Sequence, residues 1–214
     1  MSRLARLIDP GIERLRNMLR EMANLSEKSV ETAIMAYTEN QPLTKEIFGW
    51  SEQLNALHTQ ASDLAVELIA RYQPVAGDLR YIESCFEISY GFSRLGRYAY
   101  DLTQIIDAFG DLSECDSTEV KVVGEKVKKM IHQSAEAFFN GDASTAKALR
   151  KMDDEVDASY RDLIKRIASK KRGDPRCTVA VTLATRYLER MADHACYIGD
   201  SVVYVATGSK EKVR

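Results

Sequence analysis

Turn-forming residues are scarce in this chain of 214 residues. It holds 4 prolines and 11 glycines, and tens of residues pass with neither. That scarcity argues against a strand-and-turn fold and for long helices. Charge of one sign is also missing. The formal net charge is −2, which leaves no basic footprint for nucleic acid. No segment approaches the roughly 20 apolar residues that span a bilayer. The opening Met1–Pro10 has no apolar run of signal-peptide length. The four cysteines, Cys85, Cys115, Cys177 and Cys196, form no C-x-x-C pair, and such scattered cysteines read as reduced thiols of a cytoplasmic protein. Phosphate-loop, dinucleotide, nucleophile-elbow and zincin motifs are absent, so no enzyme class is indicated. His58, His132 and His194 are isolated in sequence. His194 points about 100° away from its neighbour Asp193 on a helix and reads as exposed or partly packed.

What is present is helical periodicity nearly throughout. The stripe Ile12, Leu15, Met18, Met22, Leu25 is followed by Leu54, Leu57, Ala61, Leu64, Leu68. Phe86, Phe92, Leu95, Ala99 and Leu102 make a third. The plan then recurs with Val120, Val127, Met130, with Leu149, Met152, Val156, Leu163, and with Leu183, Met191, Ile198. Stop signals agree: Gln41-Pro42, Gln73-Pro74, Asn140-Gly141 and Gly208 close helices. Asp116 with Glu119 reads as a capping box, Asp142 or Ser144 as a cap, and Asp174-Pro175 as a cap with proline at the first helical position. The predicted helices are 3–39, 43–72, 76–109, 117–140, 143–171 and 175–207.

The two halves superpose. Asp78-Leu79-Arg80 falls on Asp174-Pro175-Arg176, Arg94-Leu95-Gly96 on Arg190-Met191-Ala192, and Ala99 on Ala195. One helix earlier, Lys45, Ile47, Trp50, Leu54 and Asn55 fall on Lys147, Leu149, Met152, Val156 and Asp157. Shared order over consecutive helices is a repeat signal. The expectation is an all-α fold of two pseudo-repeated antiparallel three-helix bundles, residues 1–110 and 117–209, packed as one domain and joined through Gly110–Ser117. The tyrosines, including Tyr90, Tyr98 and Tyr197, are expected at core edges or a dimer face.

The chemistry-bearing residues are carboxylates at helical spacing. Asp153 and Asp157 share one helix face, and Glu189 and Asp193 another. Counted from the turn near Lys171–Gly173, the two pairs lie at similar heights, very roughly 22–26 Å away at 1.5 Å per residue. Four acids so placed repel unless compensated. A hard cation would do so. An ion-pair network with Lys147, Lys151, Arg161, Arg186 and Arg190 would do so equally, and from geometry alone it is the more ordinary outcome. The first half offers Ser51, Asn55, Ser93 and Arg97 at equivalent positions, a poor cation site. Any metal site is therefore single.

The stretch Arg186–Ala195, RYLERMADHA, resembles the signature helix of the PhoU family, accessory proteins of phosphate uptake, and the resemblance covers nearly the whole chain. Asp153-x-x-x-Asp157 and Glu189-x-x-x-Asp193 are similar to the family's E/D-x-x-x-D motif. Ser93 and Arg97 depart from it in the first repeat, and Tyr197-Ile198-Gly199 depart from the pattern after the signature. The resemblance implies a metal site at Asp153, Asp157, Glu189 and Asp193 for iron or another divalent or trivalent cation, with manganese, magnesium, calcium and zinc ranking lower. It implies a cytoplasmic, non-enzymatic regulator of phosphate homeostasis that touches the ATPase subunit of a phosphate ABC transporter and, in bacteria, a sensor histidine kinase. A homodimer is expected, with no nucleic acid bound and no membrane insertion. The alternative is a carboxylate-bridged metalloenzyme or metal-storage bundle. It is weakened because no Glu-x-x-His ligand pattern accompanies the acids.

Overall fold

A computed structural model describes residues 3–169 and 173–209, with side chains from residue 7 onward. Six helices account for the architecture: α1 Arg3–Thr38, α2 Thr44–Tyr72, α3 Ala76–Phe109, α4 Thr118–Asn140, α5 Ala143–Ser169 and α6 Pro175–Thr207. No strand occurs among the described residues. The helices pack in two groups of three, α1–α2–α3 and α4–α5–α6. The groups meet through α3 on α6 and α1 on α4, while α2 and α5 stay on the outside of their own bundles. The expected pair of repeated three-helix bundles is therefore the observed fold.

Burial follows the stripes. Leu15, Met22, Leu54, Phe92, Leu95 and Leu102 from the first half join Val120, Val127, Met130, Leu149, Val156 and Met191 from the second in one continuous apolar core. Each bundle alone would hold only a modest core, and sharing the α3–α6 seam removes more apolar surface from water.

The helix ends follow local chemistry. Asp174 caps α6 by accepting from the Arg176 N–H at 2.8 Å, with Pro175 in the first turn. Asp142 caps α5, accepting from the Ser144 and Thr145 amides at 2.9 and 3.1 Å. Gly141 and Gly208 close α4 and α6 at φ 67° and 73°, a region where glycine meets no Cβ penalty. The start of α4 corrects the capping-box reading. The helix begins at Thr118, whose N–H is taken by Asp116 at 2.9 Å. Glu119 turns instead to Arg166 of α5, because a carboxylate gains more from a nearby guanidinium than from a neutral amide. Of the turn used as a ruler, residues 170–172 lie outside the described residues.

A second correction concerns the cysteines. Cys85 and Cys196 are free and buried, as expected of reduced thiols. Cys115 and Cys177, read as thiols, instead form a disulfide across Cα atoms 5.4 Å apart. It ties the segment between the halves to the first turn of α6. With a separation of 62 residues, only the packing of the linker on α6 brings the two together.

Candidate functional site

The four predicted acids lie where α5 packs on α6. Asp153 and Glu189 are buried, at 8% and 7% exposure, and Asp157 and Asp193 are half-buried. Burial raises the Glu189 carboxyl above its ordinary range; Arg186 opposes this, while Asp193 and Asp157 add to it. Glu189 thus feels an acid of its own helix and one of α5, so the two motifs do face each other. Cys196 beside them is pushed up by burial first and then by Asp153, Asp200 and Asp193. Asp200 is an acid of this face that the carboxylate spacing of four does not pick out. Its spacing of seven from Asp193 is the signal that could have found it.

Compensation by basic side chains is partly in place. Arg186 Nη1 lies 2.6 Å from Glu189 Oε2, and Arg161 Nη1 lies 3.3 Å from Asp157 Oδ2. Both arginines are among the neutralising residues expected from spacing. Among the described residues, no three His, Cys, Asp or Glu side chains converge closely enough to hold an ion. The donor set is all oxygen, which suits a hard cation. Gathering those oxygens around one ion requires the acids to turn inward and Arg186 to let go. The equivalent face of the first half is built for no cation: Ser93 is buried and Arg97 pairs with Asp101 at 3.0 Å.

The seam between α3 and α6 carries a second constellation. Arg190, placed beside the acids by helical spacing, reaches across to α3 instead. Its Nε donates to the Tyr98 hydroxyl at 2.9 Å. Arg94, its counterpart in the repeat, donates to the same oxygen at 2.8 Å. His194, expected to be exposed or partly packed, goes further: it is buried at 8% exposure, packed among Tyr90, Tyr98 and Tyr197. The 100° that turns it away from Asp193 turns it into the seam, which a helix considered alone does not show. Burial, then the nearby Arg94 and Arg190 charges, push its pKa down to about 4. The repeat match of Arg94 with Arg190 is the one sequence signal for this cluster.

An all-helical, two-repeat protein with an acidic α5–α6 face and a cationic α3–α6 seam is the class defined by these features. The PhoU domain model matches residues 19–106 and 120–202, once in each half. The chain belongs to the PhoU family. It is 29% identical over 204 residues to a Pseudomonas putida protein named phosphate-specific transport system accessory protein PhoU homolog, covering 92% of this chain and 80% of that one. A Methanothermobacter thermautotrophicus protein, PhoU homolog 1 of the same system, is 25% identical, with 92% and 94% covered. The crystal structure of PhoU from Pseudomonas aeruginosa superposes at a TM-score of 0.85 with 29% identity, over 94% of this chain and 100% of that one. The phosphate transport system regulatory protein PhoU from Streptococcus pneumoniae superposes at 0.88 with 19% identity, over 95% and 99%, and shares the fold.

Proposed function

We propose that this protein is a non-enzymatic regulator of phosphate uptake, acting in the cytoplasm by contact with the ATPase subunit of a phosphate ABC transporter and, in a bacterium, with a sensor histidine kinase. The observation that carries this reading is the family match in both halves, together with relatives named as accessory proteins of a phosphate-specific transport system. An accessory protein works through surface, and six long helices offer a large one. No described helix is long and apolar enough to cross a membrane, which suits contact with a peripheral subunit. The test is capture of the purified ATPase subunit by the full chain, with and without phosphate. Saturable retention that changes with phosphate is expected; absence of retention in both conditions would overturn the reading.

A cation held by Asp153, Asp157, Glu189 and Asp193 belongs to the same proposal. Two buried acids facing two half-buried ones support it, because a bound cation relieves their repulsion. Bound, it would supply charge compensation between α5 and α6, with oxygen ligands from both. Iron and manganese are the first ions to test, by metal analysis of the wild type and of Asp193→Asn, which should lose the ion. A homodimer, with exposed tyrosines at the interface, is expected by light scattering.

A further inference from the structure

We propose that the cleft between α3 and α6 binds a small tetrahedral oxyanion, a phosphate or phosphoryl group, through Arg94, Arg190, Tyr98 and His194. The first observation is a concentration of positive charge. Two guanidinium groups converge on one neutral phenol oxygen, at 2.8 and 2.9 Å. Like charges that close repel. Their helix neighbours are neutralised by direct contact: Arg97 pairs with Asp101 and Arg186 with Glu189. Arg94 and Arg190 spend their hydrogen bonds on Tyr98 instead, and Asp193 and Glu189 act on Arg190 only as more distant charges.

The second observation is a set of unspent donors. The Tyr98 oxygen accepts from both arginines, which leaves its own O–H to donate. The His194 Nδ1 is buried with no hydrogen-bond partner, and this ring lines the same cleft. A buried ring nitrogen left unmatched is a penalty that a ligand oxygen removes. Each guanidinium keeps further N–H groups in a planar fork that suits the oxygens of a tetrahedral anion.

The third observation is space. The cleft measures about 450 Å³, ample for a tetrahedral anion with water. Glu87 is the acid in its lining. It leaves the two arginines in excess and can accept the P–OH proton of monohydrogen phosphate. Tyr90 and Tyr197, 47% and 42% exposed, stand at the same cleft and leave room for an organic group carrying the phosphoryl. The repeat explains the location. Arg94 and Arg190 occupy equivalent positions, so packing α3 on α6 sets them opposite one another, and neither half builds the site alone.

The geometry defines the class of anion; the choice of phosphate as its first member rests on the proposed regulatory function. The test is calorimetric titration of the full chain, in buffer free of other oxyanions, with inorganic phosphate in one arm and phenyl phosphate in the other. Binding in either arm is expected. Phosphate alone would identify a free-ion site, and phenyl phosphate alone a site for a carried phosphoryl group. Arg94→Gln and Arg190→Gln should each weaken binding by about tenfold or more, the loss of one charge-assisted contact. Arg97→Gln, on the same helix but outside the cleft, should bind as wild type, with helical circular dichroism verifying the fold of each variant. No heat in either arm up to about 10 mM, a very weak affinity, would overturn the proposal, as would unchanged binding in both cleft variants. No ATPase subunit is present in this measurement, so its failure and a failure of the capture experiment are separate results.

Discussion

At the residue scale, burial of ionisable groups decides the behaviour. His194 is held neutral among three tyrosines, with Arg94 and Arg190 near its ring and Glu87 on the same cleft. Its folded pKa of about 4 lies below the ordinary 6.5, so the unfolded chain binds more protons between those values. Stability should therefore fall as pH drops from about 6.5 to about 4, by on the order of 3 kcal/mol from this group. Denaturant titrations of wild type and His194→Gln across that range check it, the variant showing the shallower slope. Glu189 has the opposite sense. Its folded pKa is raised by burial, so its ionised form is penalised in the fold at neutral pH; the penalty fades as pH falls through the folded pKa and is gone below the unfolded value. Glu189→Gln should raise the melting temperature of cation-free protein at pH 7 and leave it unchanged near pH 4. A lower melting temperature at pH 7 would mean that the Arg186 pair outweighs desolvation.

At the element scale, close approach of helices sets what each position tolerates. A Cβ on Gly199 of α6 would lie 2.9 Å from Leu149 Cδ1 and 3.2 Å from the Ala146 carbonyl oxygen of α5. The leucine can turn, but the carbonyl belongs to a helix backbone and cannot. Gly199→Val should destabilise by about 1–3 kcal/mol through overpacking, read as a lower denaturation midpoint. Because this crossing also holds Asp153 and Asp157 against Glu189 and Asp193, the same variant should weaken any cation bound there. The element ends are a milder lever. Asp174→Ala removes the cap of α6 and should destabilise by about 1 kcal/mol, measurable in the same assay.

At the scale of the whole molecule, the halves are joined by a shared core and by one covalent link. The Cys115–Cys177 disulfide closes a loop of separation 62, and chain-entropy reasoning gives it a stabilisation of about 4 kcal/mol. Reduction, or Cys115→Ser with Cys177→Ser, should lower the denaturation midpoint accordingly while leaving the helical signal at neutral pH intact. Thiol counts before and after unfolding check the bond: two titrating thiols, from the buried Cys85 and Cys196, are expected in the unfolded unreduced chain.

Helix positions, the repeat and the acidic face were legible in the chain itself. Apolar spacing, caps such as Asp142 and Asp174, and spacings of four between acids are local, and local geometry follows from residue order. Helical spacing puts Asp153 with Asp157 on one helix face and Glu189 with Asp193 on another; that the two faces meet is decided by the packing of α5 on α6. The outcome at their side chains was not legible, since Arg161 and Arg186 compete for the same oxygens and rotamers settle the competition. Arg190, His194 and Cys177 show what only the tertiary structure decided. Each finds its partner on a segment remote in sequence: Tyr98 for Arg190, Tyr90 and Tyr98 for His194, Cys115 for Cys177. Periodicity says which face of a helix is buried. The rotation of α3 against α6 and the path of the linker over α6 come from packing across the whole core, and they determine which residues meet there.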